Sequence, residues 1–235
     1  MEIGYILLNI FGIDYSMNSP GVCYRRLDND HNVVDSDYRY FSSTTKHIKA
    51  DQIHCIALSK SHNNLCEKFD IITNHIMSFI NSKISADDSN YVGMEGYSYG
   101  SVGRVFDIAE STGVMKHKIY LNDITLRLRI YEPSAIKKYG ALNGTAGKVE
   151  MNDAFVSDVD VNKPVIPEHL QDSESPKADI IDAYWICKLL QTEIGLRRGI
   201  YNLKDLHQKR IEIFNSVSKA NKENVLVRNF IERVV

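Results

Sequence analysis

The stretch "YILLNIFGIDYSMNSPGVCYRRL", residues 5–27, decides how this chain folds. An apolar run reaches Asp14 and stops at a turn cluster, "SMNSP". A second β-rich run restarts at Gly21. A third follows over residues 33–41, after the turn cluster "DNDHN". Three consecutive antiparallel strands are expected from this pattern. Asp14 is the anomaly, because a carboxylate at the inner end of a buried strand costs free energy unless something compensates it. Three things can do so: a lysine or arginine, a capping role, or a metal ion.

Downstream the periodicity changes. Residues 63–83 place Leu65, Phe69, Ile72, Ile76, Phe79 and Ile80 at helical spacing. The segment "SSTTKHIKADQ" before them reads as a loop. "YVGMEG" (91–96) reads as a short buried strand finishing at Glu95, and Ser101 as the N-cap of the next helix. "LRLRIYEP" (126–133) alternates like a strand that Pro133 stops. A basic, glycine-containing segment then leads into a helix, and a connector with three prolines follows at 161–177. "ADIIDAYWICKLLQTEIG" (178–195) is a strong apolar helix with Gly195 expected as its C-cap. Helical stretches at 203–214 and 216–234 close the chain. The division expected is a body over 1–195 and a basic helical extension over 196–235. The element order describes a mixed five-stranded sheet, three strands antiparallel and two parallel, covered by helices.

Composition narrows the function. With 43% hydrophobic and 25% charged residues, the 235-residue chain is ordinary for a globular protein. A net charge of −2 argues against a simple nucleic-acid coat protein. Its distribution is uneven, since basic residues outnumber acidic ones after Asp182 and the rest is net negative. An acidic body with a basic appendage fits a metal-holding site beside a polyanion-binding surface, and equally a solvated helical tail. Cys23, Cys55, Cys66 and Cys187 form no C-x-x-C pair and read as buried free thiols of a reducing cytosol. No run reaches membrane-spanning length, and the N-terminal apolar stretch lacks the basic flank and cleavage site of a signal peptide. A cytoplasmic protein, in a bacterium or an infected host cell, is the expectation. The histidines show no ligand spacing.

Four acids fall at the ends of apolar elements. Asp14 ends the first strand, Glu95 ends the fourth, and Asp179 and Asp182 share one face at the start of a helix. Singly, Asp179 reads as a helix-dipole cap and Asp14 as a turn residue. Together, carboxylates that converge without a cation raise one another's pKa. Two divalent ions relieve that repulsion and supply a nucleophile from bound water. Oxygen ligands suit Mg²⁺ or Mn²⁺ better than zinc.

"GIDYSMNSPGV", the strand-ending Glu95, "VGRVFDIAESTGV", "YEPSAIKKYGALNGTAGKVEM" and "DIIDAYWI" occur in the order of a RuvC-like Holliday junction resolvase. That family belongs to the ribonuclease H-like and retroviral-integrase nuclease superfamily. The resemblance spans roughly residues 5–195 and leaves the tail unmatched. It implies a ribonuclease H-like sheet and two Mg²⁺ ions, replaceable by Mn²⁺, on Asp14, Glu95, Asp179 and Asp182, with Asp14 bridging. It further implies that Lys137 and Lys148 are the family's two basic residues, which act near the scissile phosphate and the DNA backbone; Lys138 beside Lys137 is a further DNA-contact candidate. Lys148 also reads as a solvated helix-start lysine. "GTAGK" is not a P-loop, because Val149 follows the lysine.

The family often carries a wedge aromatic after its glutamate. Here Tyr97 and Tyr99 flank that position, either as base-stacking or as packing residues. Arg104 nearby is a further DNA-contact candidate. The segment 42–82 is longer than in compact members of the family, and the chain's extensions suggest a phage or viral member.

The function implied is a structure-selective endonuclease for four-way or other branched DNA in recombination and repair, acting as a homodimer, with the helix from Ser101 as the dimer face. Two alternatives stay open. One is a nuclease for RNA–DNA hybrids or for replication or packaging intermediates, and the other is an inactive DNA-binding relative.

Overall fold

The computed structural model describes residues 7–58, 61–96, 105–171 and 175–220. β1 (Leu8–Asp14), β2 (Gly21–Leu27) and β3 (Val33–Ser42) pair antiparallel in succession. β4 (Cys55–Ala57) adds parallel to β3. β5 (Ser89–Glu95) lies parallel to β1, and β6 (Arg127–Tyr131) parallel to β5. The spatial order is β4-β3-β2-β1-β5-β6. This is the mixed sheet that was expected, three strands antiparallel and two parallel, with a sixth strand, β4, added at one edge.

Seven helices accompany the strands among the described residues: α1 (Thr45–Ala50), α2 (Leu65–Asn81), α3 (Val105–Tyr120), α4 (Pro133–Ala141), α5 (Lys148–Ser157), α6 (Lys177–Arg197) and α7 (Gln208–Ala220). Several expectations need correction. The 42–52 loop contains α1, and β4 follows it. Pro133 ends one element and starts another, because its fixed φ and missing N–H suit the first helical position of α4. Gly195 is not a C-cap. It is buried inside α6, where a Cβ would stand 2.3 Å from the Tyr201 ring, and the left-handed residue past the helix is Gly199, at φ 71°. The tail opens with a 3₁₀ turn at Leu203–Asp205 before α7.

Pleating sorts the core into two layers. Leu8, Ile10, Tyr91 and Tyr131 face α6, which α4 and α5 cover, with α7 packed on α4. Phe11, Ile13, Val92, Met94 and Leu128 face the other way, packing with Ile72, Ile76 and Ile80 of α2 and Met115 and Ile119 of α3. α2 is capped by Asn64, whose side chain accepts from the Glu67 N–H at 2.9 Å. Beyond residue 195, Ile213 joins the α6 core, Arg210 Nε donates to the Tyr139 carbonyl at 2.9 Å, and Lys138 pairs with Glu212 at 2.8 Å.

Cys23 and Cys187 are buried free thiols, but Cys66 is exposed. Among the described residues no helix is long and apolar enough to cross a membrane.

Candidate active site

The alternation that sends Leu8 and Ile10 toward α6 carries on through Gly12 to Asp14. The same parity runs from Tyr91 through Gly93 to Glu95 on β5. Parallel pairing sets Ile13 beside Met94, so Asp14 and Glu95 end neighbouring strands on one face of the sheet. What crosses that face is α6.

It comes unusually close. A Cβ at Gly12 would stand 2.2 Å from the Ala183 carbonyl oxygen, and one at Gly21 would stand 2.2 Å from that of Asp179. The two glycines flanking the opening motif are therefore notches that seat the first turns of α6 on β1 and β2. Asp179 and Asp182, one turn apart, are lowered onto the sheet with it.

The resulting electrostatics are unfavourable for four ionised acids. Asp14, 9% exposed, has its carboxyl pushed well above the usual range by burial, then by the charges of Asp182, Asp179 and Glu95. It shares a hydrogen bond with Asp179. Asp182 is pushed up to about 7 by burial and by Glu95 and Asp179, against the opposing pull of Lys137 and Lys148. Burial raises Glu95, with Lys137 opposing. Burial raises Asp179 too, against hydrogen bonds from Ser175, Ser19 and Asp14 and the charge of Lys148. The buried arginines are engaged elsewhere, Arg25 with Asp160 and Gln191, and Arg129 with Glu193.

Lys137, on α4, and Lys148, the first residue of α5, thus face the acids. Lys148 is exposed, and its helix start is fixed by the Gly147 N–H donating to the Glu150 carboxylate. Lys138 instead points to Glu212 of α7. Tyr97, Tyr99, Ser101 and Arg104 lie outside the described residues. Two participants have no sequence signal of their own, Ser19 and Ser175, whose hydroxyls both donate to Asp179 Oδ2. Serines in turns are too common to single out.

Among the described residues no group of three or more His, Cys, Asp or Glu side chains forms a ready-made metal site. The donor set nonetheless fits a hard divalent cation. It is all carboxylate oxygen, partly desolvated, and holds more negative charge than its lysines offset.

Solved structures similar to this chain include the following three. Thermus thermophilus RuvC matches at 13% identity over 82% of this chain and 97% of that one, with a TM-score of 0.49. T. thermophilus RuvC in complex with Holliday junction substrate matches at 10% identity over 82% and 97%, TM-score 0.46. The yeast mitochondrial Holliday junction resolvase Ydc2 matches at 11% identity over 90% and 80%, TM-score 0.47. The likeness is one of fold. No family model matches the chain, and no curated protein does.

Proposed function

We propose that this chain is a divalent-metal-dependent endonuclease that cuts four-way or other branched DNA by phosphodiester hydrolysis. One observation carries the proposal: four carboxylates from β1, β5 and α6 converge on one face and hold their protons abnormally tightly. The order of the five sequence motifs directs it to branched DNA.

In this reading Asp14, Glu95, Asp179 and Asp182 would hold two Mg²⁺ ions, or Mn²⁺ in their place. When bound, such ions would supply an activated water nucleophile and charge neutralisation at the leaving oxygen. The chain's own residues do the rest. The carboxylates give up their shared protons and take fixed positions, and the seated start of α6 keeps Asp179 and Asp182 over Asp14. Lys148 and Lys137 hold backbone phosphates against the acid face. Either Tyr97 or Tyr99 stacks on an unpaired base, and Arg104 contacts the backbone farther out. A four-way junction is nearly two-fold symmetric, so two copies paired across α3, which exposes Phe106, Ile108 and Tyr120, would cut matching strands.

The test is a labelled four-way junction with Mg²⁺, run beside a flap and an RNA–DNA hybrid. Wild type is expected to make paired symmetric cuts. Asp14→Asn should bind the junction yet cut it about 10³-fold more slowly, a barrier increase of about 4 kcal/mol. Equal cutting by both proteins would remove Asp14 from the chemistry, and faster cutting of the hybrid would replace the substrate.

A further inference from the structure

Asp179 is held from two places far apart in sequence. Ser19 lies in the β1–β2 turn and donates to Asp179 Oδ2 at 2.9 Å. Ser175 lies two residues before α6 and donates to the same oxygen. The two serine oxygens are themselves 2.6 Å apart. Three oxygens thus form a closed triangle, and two hydroxyl protons serve it. A hydroxyl donates only once, so the arrangement that best satisfies an ionised Asp179 sends both protons to Oδ2.

The turn is built to keep Ser19 there. Ser16 Oγ accepts from the backbone N–H groups of Asn18 and Ser19, both at 3.3 Å, which folds the "SMNS" segment back on itself. Gly21, the notch that admits α6, follows two residues later. The same short turn therefore seats the helix and grips its first acidic side chain. Ser175 is exposed, and hydroxyl contacts at such a rim add little to folding stability. Their consequence is orientation: they commit one carboxylate oxygen to the protein.

We propose that Ser19 and Ser175 are positioning residues of the metal-holding site, which fix Asp179 through Oδ2 so that a divalent cation drawn to the site meets Oδ1. The assignment rests on the metal-dependent reading above. It gives Asp179 a hold that persists once the proton it shares with Asp14 has left. Partners that orient a ligating carboxylate without touching the metal typically govern affinity by ten- to a hundredfold.

The experiment is a Mn²⁺ titration of the full chain followed by electron paramagnetic resonance of the free ion. It compares wild type, the double variant Ser19→Ala/Ser175→Ala, the conservative Ser19→Thr, and Asp182→Asn. The double variant is expected to lose about tenfold in affinity for at least one Mn²⁺. Its melting temperature in EDTA should be unchanged, Ser19→Thr should stay near wild type, and Asp182→Asn should bind more weakly still.

A double-variant isotherm superimposable on wild type overturns the positioning role and leaves the metal site standing. A lowered melting temperature in EDTA with Mn²⁺ affinity intact marks the serines as structural and overturns it too. A wild-type protein that takes up no Mn²⁺ removes the metal-dependent reading itself, and this assignment with it.

Discussion

The two ends of α6 handle buried charge in opposite ways. At the C-terminal end Glu193, 2% exposed, is fully met: Arg129 Nε donates at 3.0 Å, the Tyr131 hydroxyl at 2.6 Å and Arg197 at 2.7 Å. At the N-terminal end Asp179 and Asp182 join Asp14 and Glu95, and the lysines nearby leave their pKa values raised. One helix, crossing one sheet, thus carries a satisfied carboxylate and a group of dissatisfied ones some four turns apart. The satisfied end is what ordinary folding stability selects. The dissatisfied end lowers stability as it stands, a pattern common at functional sites and the one the proposed cation site requires.

The sharpest way to break that contrast is to remove one partner at each end. Arg129→Met leaves Glu193 buried with fewer donors and should destabilise the protein by about 3 kcal/mol in urea unfolding. A loss near zero would mean that Arg197 and Tyr131 suffice. Gly12→Ala tests the shared support. Its methyl group meets the Ala183 carbonyl, so α6 must shift, at a cost of about 2 kcal/mol. Mn²⁺ affinity should fall with it, whereas intact affinity would show that the acids do not depend on the seat of the helix.

Asp182→Asn should do the opposite of Arg129→Met and stabilise the metal-free protein at pH 8, by about 1–2 kcal/mol after allowing for partial exposure. The sign follows from linkage. The folded-state pKa of Asp182 is raised from 3.8 to about 7, so the folded state binds the extra proton between those values. Its unfavourable contribution is absent below about pH 4 and complete above about pH 7. Metal-free wild type should therefore lose stability as pH rises through that window, and the gain from Asp182→Asn should vanish toward pH 4. The smallest effect is recovery by ligand. At pH 8, Mg²⁺ at ten times its dissociation constant should raise stability by about 1.4 kcal/mol in wild type and less in Asp182→Asn. Identical thermal shifts in the two proteins would argue against Asp182 as a ligand.

Much of the fold was legible because periodicity is local. The strands at 8–14, 21–27 and 89–95 and the helix at 65–81 follow from alternation or from helical spacing of apolar residues. What escaped has no such signal. β4 is three residues long and exists through pairing with β3. α1 buries no residue, so it carries no apolar stripe. Gly195 resembled a C-cap because a glycine near a helix end usually is one, yet here its missing side chain makes room for Tyr201.

The candidate site was legible as four acids at element ends, and Lys137 and Lys148 as its basic neighbours. Lys138 looked the same as Lys137 in sequence, but one residue along a helix turns it to Glu212. Ser19 and Ser175 were invisible, because two hydroxyls 156 residues apart have meaning only once both reach one oxygen.

By itself, then, the sequence determined the longer strands and helices and where carboxylates end them, because those properties depend on neighbours along the chain. Tertiary structure alone decided that four acids face one another, that two glycines let a helix carry two of them onto the sheet, and which lysine turns toward them. Those outcomes depend on strand parity, register and the few ångströms between packed backbones, which no short window of sequence contains.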